Sequence, residues 1–164
     1  MRLVALLALL VVVACAPAEP ADDLLTIAEV VDGDTIIVSH GSNREIVRLL
    51  GIDTPETVDP NRPVQCFGAE ATARLKELLP ERTAIVLLRD REARDQYGRL
   101  LGYIYVGDVL VNEVMLAEGL ADLSIYPPND TLRPQLEAAA KKARTASVGL
   151  WSACGGPDVP LDPS

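Results

Sequence analysis

Residues 26–50 read TIAEVVDGDTIIVSHGSNREIVRLL, and this stretch contains the pattern that decides the fold. Three runs rich in β-branched residues, 26–31, 35–39 and 44–50, are separated by the sequences DGD and HGSN. Short β-branched runs bounded by Gly, Asn, Asp and Ser are typical of strands. Because both connections are short, successive strands are expected to pair antiparallel, and the stretch predicts a three-stranded meander.

Patterns further along the chain predict two more strands and three helices. Residues 71–79 repeat apolar side chains at helical spacing, whereas the runs 83–88 and 99–106 have strand composition. A short helical pattern ends at Gly119, and a last one covers 132–143. Five strands with one inserted helix and two C-terminal helices predict an α+β fold, a five-stranded OB-fold barrel of the kind that commonly binds oligonucleotides or oligosaccharides.

The first residues have the composition of an export signal. Arg2 precedes an apolar run, 3–13, that is too short to span a bilayer, and the sequence VVAC then ends at Cys15. VVAC resembles a bacterial lipobox, in which the cysteine becomes the lipidated first residue. The alternative is an ordinary signal cut after APA at 16–18. We expect a leader over 1–14 and an exported cell-envelope lipoprotein anchored to the membrane at Cys15, or otherwise a soluble secreted or periplasmic protein.

Composition divides the rest of the chain into three parts. Residues 15–25 are rich in Pro and acidic residues and indicate a tether, 26–154 form one folded domain, and 155–164 are expected to be a disordered tail. The domain is expected to be a monomer. The net charge of −9 disfavours general attraction to nucleic acid, which depends on Lys and Arg. Phosphate chemistry would therefore need a local positive site, a bound metal, or both.

Four carboxylates are concentrated at predicted turns and strand ends, namely Asp32, Asp34, Asp53 and Glu56. The meander would bring the DGD turn and the end of the sequence RLLGIDTPE to one rim of the barrel. Clustered carboxylates repel one another unless a cation lies between them, and Ca²⁺ favours such oxygen ligands. Ile36 excludes an EF-hand, because it occupies the next ligand position of that motif. The alternative is that these acids are solvated turn residues.

Two arginines are the candidate counterparts of these acids. Arg48 lies inside an apolar strand pattern, where a charge is costly unless it is paired, and Arg99 begins another strand pattern. The guanidinium group has a planar fork that matches two phosphate oxygens, which lysine cannot reproduce. A metal and two arginines would surround a phosphodiester with positive charge, although either arginine alone could form a structural salt bridge.

Five sequence segments follow one another over residues 26–152, in this order: VVDGDT, RLLGIDTPE, DQYGRLLGYIY, VNEVMLAEGLA and PPNDT…GLWS. This ordered set resembles the signatures of the staphylococcal nuclease family. The resemblance implies that 26–154 is an OB-fold nuclease domain. It also implies an enzyme that hydrolyses DNA and RNA with Ca²⁺ and releases 3′-phosphate products.

The same resemblance implies roles for the acidic residues. Asp34, Asp53 and the backbone carbonyl of Thr54 would hold Ca²⁺. Asp32 would act on the metal through a water molecule. Glu56 would orient or deprotonate the water that attacks the phosphorus.

The resemblance also implies how substrate is bound. Arg48 and Arg99 would act as catalytic residues on the scissile phosphate, and Tyr97 would contact a neighbouring phosphate. Tyr126 remains as a further substrate contact, although Ser124 stands where the type member of the family has a second tyrosine.

Two further departures lie near these residues: Gln96 replaces a lysine, and the loop at 57–66 has Arg62 as its one basic residue. All these changes affect contacts to flanking phosphates or bases. We therefore expect the reacting centre to keep its chemistry.

The three cysteines suggest one disulfide. Lipidation of Cys15 would leave Cys66 and Cys154 as an even pair in an oxidising compartment. In the family fold both segments end on the helical side of the barrel, so we expect these two residues to be bonded, away from the phosphate site. The alternative is two free buried thiols.

Two other functions compete with a nuclease. A non-catalytic nucleic-acid or protein-binding module on the same fold would typically have lost some of the acids or arginines, and here all six are present. A sugar-binding OB-fold would leave those six residues unexplained. The sequence therefore favours the enzyme.

Overall fold

The computed structural model describes residues 24–161. The predicted leader, most of the tether and the lipidation site at Cys15 lie outside the described residues, as do residues 162–164. Within the part of the chain that is described, no helix combines the length and the apolar character needed to cross a membrane.

Residues 24–161 form eight strands and four helices. In order they are β1 (Leu25–Val30), β2 (Thr35–His40), β3 (Asn43–Leu49), β4 (Gly51–Asp53), α1 (Gly68–Leu78), β5 (Ala84–Leu88), β6 (Leu100–Val106), β7 (Val109–Leu110), α2 (Val111–Ala117), β8 (Asp122–Ser124), α3 (Arg133–Ala146) and α4 (Leu150–Ala153).

Five of the strands close into a barrel. β1, β2 and β3 form the predicted antiparallel meander, and β5 pairs antiparallel with both β1 and β6. β3 and β6 then pair in parallel, with Arg48 opposite Leu101, and this pairing closes the barrel. The parallel pair brings the start of β6, which Arg99 directly precedes, beside the strand that contains Arg48. The α+β, OB-fold prediction is confirmed.

The core follows from the alternation of side chains along these strands. Ile36 and Val38 on β2 and Val47 and Leu49 on β3 are almost completely buried. The inserted helix α1 adds Leu75 to the same hydrophobic cluster. Burying side chains of this size stabilises the fold by about 1.5–3 kcal/mol each, so the core gives the rim of the barrel a rigid support.

A bend at Gly51 follows the third predicted strand run, 44–50, and separates β3 from β4. Gly51 has φ +78°, and a Cβ atom there would lie 2.3 Å from Leu136 Cδ1, so only glycine fits. After the bend, β4 leaves the barrel and pairs with β8. The small second sheet was not predicted, because each of its strands has only three residues. The bend directs the chain that carries Asp53 back across the end of the barrel.

The C-terminal segment is bonded to the loop before α1. Cys66 and Cys154 form the predicted disulfide, with their Cα atoms 6.0 Å apart. Residues 155–161, expected to be disordered, lie along that loop: the Cys66 N–H donates to the Val159 carbonyl (2.8 Å) and the Leu161 N–H to the Val64 carbonyl (2.8 Å). The disulfide holds residues 155–161 beside the loop before α1. There the segment can form hydrogen bonds with the backbone of the loop.

Candidate active site

Arg48 joins the acidic residues at one end of the barrel. Its Nη2 lies 3.0 Å from Asp34 Oδ2 and 2.8 Å from Asp53 Oδ1. Its Nη1 donates to the backbone carbonyls of Leu49 (3.0 Å) and Ile52 (2.8 Å). The charge that the sequence placed inside an apolar strand is therefore paired, and the guanidinium group is held by both the strand and the bend that follows it.

Asp34 connects the DGD turn to the DTPE loop. One carboxylate oxygen, Oδ2, accepts hydrogen bonds from the backbone N–H (3.0 Å) and the hydroxyl (3.2 Å) of Thr54. The other accepts the Thr35 hydroxyl at 3.0 Å. A Cβ atom on Gly33 would lie 2.7 Å from Thr54 Oγ1, so the glycine of the DGD turn permits this close approach. The turn and the loop therefore meet at one rim, as the sequence analysis expected.

The acidic cluster concentrates negative charge. Burial, and next the nearby charge of Asp34, raise the pKa of Asp32 to about 6. Burial also raises the pKa of Asp53; the charge of Asp34 acts in the same direction and that of Arg48 opposes it. Ionised carboxylates at this site are costly because they repel one another and are partly removed from water.

Glu56 is oriented by its own loop. Its Oε1 accepts the backbone N–H groups of Thr57 (2.9 Å), Val58 (2.8 Å) and Asp59 (3.0 Å). Burial opposes ionisation of Glu56, but these three donors outweigh it and hold the pKa of Glu56 below its ordinary value. Its other oxygen, Oε2, lies 3.9 Å from Arg62 Nη1. Glu56 is therefore a fixed, ionised carboxylate with one oxygen outside the loop's hydrogen bonds.

Arg99 is held by the turn that precedes β6. Its Nε donates to Asp95 Oδ2 at 2.7 Å, and its backbone N–H donates to Asp95 Oδ1 at 2.9 Å. The guanidinium group also lies 5.6 Å from the centre of the Tyr97 ring. Arg99 is thus positioned by residues of its own turn, with its two terminal nitrogens outside these hydrogen bonds.

The residues predicted to take part in the reaction line a small polar cleft of about 110 Å³. It is lined by Asp32, Asp34, Thr35, Arg48, Asp53, Thr54, Pro55, Glu56, Arg62 and Arg99. The two arginines, the four acids and Thr54 therefore come together, as the sequence predicted.

A larger groove of about 470 Å³ shares the two arginines with this cleft. Tyr97, Tyr126, Gln96 and Ser124 line this groove together with both arginines. The two tyrosines are among the exposed large side chains of the molecule. The predicted substrate-binding residues therefore lie in a different compartment from the acids.

Two residues of the site were missed by the sequence analysis. Asp95 could have been found, because an Asp three residues before Gly98 is a turn signature and the turn leads directly to Arg99. Gln65 could not, since its role depends on Asp158, which lies 93 residues further along the chain.

The donor set fits a hard cation. Asp32, Asp34, Asp53 and the Thr54 backbone provide oxygen ligands only, and the raised pKa values of Asp32 and Asp53 indicate negative charge that a cation would relieve. Within residues 24–161, no three acidic, histidine or cysteine side chains already converge as a metal-binding group.

Comparison with known proteins agrees with this geometry. Residues 46–153 match the family model described as staphylococcal nuclease homologue. The chain is 44% identical to a thermonuclease of Staphylococcus intermedius over 125 residues, which cover 76% of this chain and 74% of the relative. It is 40% identical to a thermonuclease of Staphylococcus hyicus over 126 residues, covering 77% of this chain and 74% of the relative.

A third relative is longer than this chain. The endonuclease YncB of Bacillus subtilis (strain 168) is 38% identical over 132 residues, which cover 80% of this chain and 63% of the relative. Barrel, cleft and relatives together define a nuclease, an enzyme that cleaves phosphodiester bonds. Since the family model covers more than half of the chain, the chain belongs to the staphylococcal nuclease family.

Proposed function

We propose that this nuclease hydrolyses phosphodiester bonds of both DNA and RNA, requires Ca²⁺, and leaves 3′-phosphate products. The observation that carries the proposal is the cleft in which two arginines and Glu56 face the acidic cluster. The resemblance to the family supports the identity of the metal and of the products.

The metal would be held by Asp34, Asp53 and the backbone carbonyl of Thr54, with Asp32 acting through water. When bound there, Ca²⁺ supplies positive charge close to the phosphate and stabilises the charge that develops during hydrolysis. Arg48 contacts both the Asp34 and the Asp53 carboxylate and already offsets part of their charge.

Glu56 would orient the attacking water and accept its proton. Its Oε1 is occupied by three backbone donors, so Oε2 is the oxygen available to a water. The lowered pKa keeps the group ionised and able to accept a hydrogen bond at neutral pH. General-base catalysis of this kind contributes about 10²- to 10⁴-fold to the rate.

Arg48 on β3 and Arg99 in the turn before β6 would bind the non-bridging oxygens of the scissile phosphate. Hydrogen-bond donors placed where charge develops are each worth about 10²- to 10³-fold in kcat. Tyr97 and Tyr126, in the adjoining groove, would contact the flanking nucleotides. The chemistry and the recognition of substrate would thus use separate surfaces that meet at the two arginines.

The test is cleavage of DNA and RNA by the purified domain, with Ca²⁺ or with excess chelator, followed by analysis of the product ends. We expect cleavage of both polymers with Ca²⁺, 3′-phosphate ends, and no cleavage with chelator. Full activity in chelator would contradict the metal requirement. Tight binding without cleavage under any metal condition would instead favour a non-catalytic binding module.

We also propose that the enzyme acts outside the cytoplasm, as a monomer anchored through a lipid on Cys15. The support is the sequence around the lipobox-like VVAC. The full chain should partition into detergent, whereas a Cys15→Ala chain should remain in the aqueous phase. If both chains remain in the aqueous phase, the protein is a soluble exported one instead.

A further inference from the structure

Gln65 exchanges hydrogen bonds with Glu56 in both directions. Its side-chain Oε1 accepts the backbone N–H of Glu56 at 2.7 Å, and its own backbone N–H donates to the Glu56 carbonyl at 2.8 Å. Gln65 is only 6% exposed, so water cannot readily replace these contacts. Gln65 therefore holds the backbone of the proposed general base, in addition to the hydrogen bonds that hold its carboxylate.

The orientation of the Gln65 amide is set by Asp158. A glutamine amide presents an oxygen on one side and a nitrogen on the other, and only the oxygen can accept the Glu56 N–H. Gln65 Nε2 donates to Asp158 Oδ1 at 3.0 Å. A carboxylate accepts but does not donate, so Asp158 favours the orientation in which the Gln65 oxygen faces Glu56.

Asp158 is itself placed by the C-terminal segment. The hydrogen bonds of Val159 and Leu161 to the loop before α1 follow it directly, and Cys154 anchors the segment four residues earlier. Arg62 provides a second connection, 3.5 Å from Asp158 Oδ1 and 3.9 Å from Glu56 Oε2. Asp158 also lies outside residues 46–153, the part of the chain that matches the family model.

We propose that Asp158 is a positioning residue for catalysis, which acts on Glu56 through the amide of Gln65. The inference rests on the proposed role of Glu56 as the group that activates water. The C-terminal segment, bonded to the domain at Cys154, is then part of what sets the turnover number, and it affects substrate affinity little because it lies apart from the groove of Tyr97 and Tyr126.

Asp158 is the residue to change, because its side chain is 67% exposed and its substitution leaves the core intact. Asp158→Ala removes the acceptor for Gln65 Nε2. Asp158→Asn removes the charge but keeps an acceptor oxygen, which the two donors that now share Asp158 Oδ1, Gln65 Nε2 and Arg62 Nη2, would turn toward Gln65. Glu77→Ala is the matched control, since Glu77 is equally exposed (67%) and pairs with Arg74 on α1.

Steady-state kinetics of the full chain at saturating Ca²⁺ test the proposal. We expect Asp158→Ala to lower kcat about 5- to 20-fold with KM within about 2-fold of wild type, since small misplacement of a catalytic group is costly. Asp158→Asn and Glu77→Ala should both retain kcat within about 2-fold. An unchanged kcat in Asp158→Ala, or an Asn variant as impaired as the Ala variant, overturns the proposal.

A double variant shows whether the effect passes through Glu56. In a Glu56→Gln background, Asp158→Ala should lower kcat by less than about 2-fold, because residues that act through one group are not additive. The same loss in both backgrounds would mean that Asp158 acts elsewhere. If Glu56→Gln alone retains wild-type kcat, the failure belongs to the proposed function, and the role of Asp158 falls with it.

Discussion

The site has two halves that are held in different ways. In the barrel half, Arg48 contacts Asp34, Asp53 and two backbone carbonyls, which together connect the turn before β2 with β3 and β4. In the loop half, Arg99 is held by Asp95 of its own turn, and Glu56 by N–H groups of its own loop. The Arg48 side chain is 17% exposed and that of Arg99 31%.

Because the two halves are held differently, substitutions in them should affect stability and catalysis to different extents. A contact in the barrel half serves both, because the same hydrogen bonds join the strands and hold Arg48, the residue proposed to bind the phosphate. A contact in the loop half is local, so its loss leaves the strand pairing and the core unchanged. Substitutions in the loop half are therefore expected to change mainly turnover, and those in the barrel half to change turnover and stability together.

The largest effect is expected for Glu56→Gln in the loop half. Glutamine keeps an oxygen for the three backbone donors but cannot take a proton from water at neutral pH. We expect kcat to fall by about 10²- to 10⁴-fold. Because the three backbone donors lower the pKa of Glu56, loss of its charge should also lower the midpoint of thermal unfolding slightly, as for Asp90→Asn. A large drop in the midpoint, measured by circular dichroism, would contradict the division into two halves.

Arg99→Lys tests the other member of the loop half. Lysine can still pair with Asp95, but it lacks the fork that would bind two phosphate oxygens. Loss of one donor to the charge that develops in the transition state typically costs about 10²- to 10³-fold in kcat, and we expect a fall of about 10²-fold here. The midpoint of unfolding should stay constant. Wild-type kcat would show that Arg99 is structural.

Arg48→Lys is the matched change in the barrel half. Lysine cannot reach both carboxylates and both carbonyls, so buried acceptors lose their partners. We expect the free energy of unfolding to fall by about 1–3 kcal/mol, measured by urea denaturation, in addition to a loss of kcat. An Arg48→Lys protein with unchanged stability would remove the contrast with Arg99.

The smallest effect is expected at Asp90, which lies in neither half. Burial opposes its ionisation, but hydrogen bonds from Thr131 and Tyr103 hold the pKa of Asp90 below its ordinary value. Asp90→Asn should cost about 1 kcal/mol of stability at pH 7 and leave kcat unchanged.

The difference in stability between the wild type and Asp90→Asn should depend on pH in a defined direction. Because the pKa of Asp90 is lower in the folded than in the unfolded state, the ionised carboxylate stabilises the fold above about pH 4 and loses that effect as the pH falls further. Urea denaturation at pH 7, 5 and 3 should therefore show the wild type and Asp90→Asn converging only at the lowest pH. A constant difference would exclude the carboxylate charge as its cause.

Features with a short-range sequence signal were predictable. The barrel strands follow from β-branched runs and turns, and Asp34, Arg48 and Glu56 follow from the order of the family segments. The disulfide followed from the number of cysteines and the family fold, and its Cα separation agrees. In each case the information lies within a few neighbouring residues or in a resemblance.

Features that depend on contacts through space were not predictable. The β4–β8 sheet uses two segments of three residues, too short to show a period. The expectation that the disulfide lies away from the phosphate site also needs correction: Gln65, the residue before Cys66, contacts Glu56 directly. Residues 155–161 looked unstructured because Gly and Pro disfavour regular structure, yet backbone pairing with 64–66 does not require a regular element.

The bond between Cys66 and Cys154 makes the domain a covalent ring with a tail. Arg99 and Tyr97 lie inside the ring, whereas Arg48 and the acids precede it in the chain. A protease that cuts once at the exposed turn around Gln96 and Tyr97 would therefore nick the enzyme without releasing a fragment. Because the disulfide joins the two pieces, the effective concentration of one near the other would stay high. A nicked molecule could therefore keep Arg48 and Arg99 in the same site.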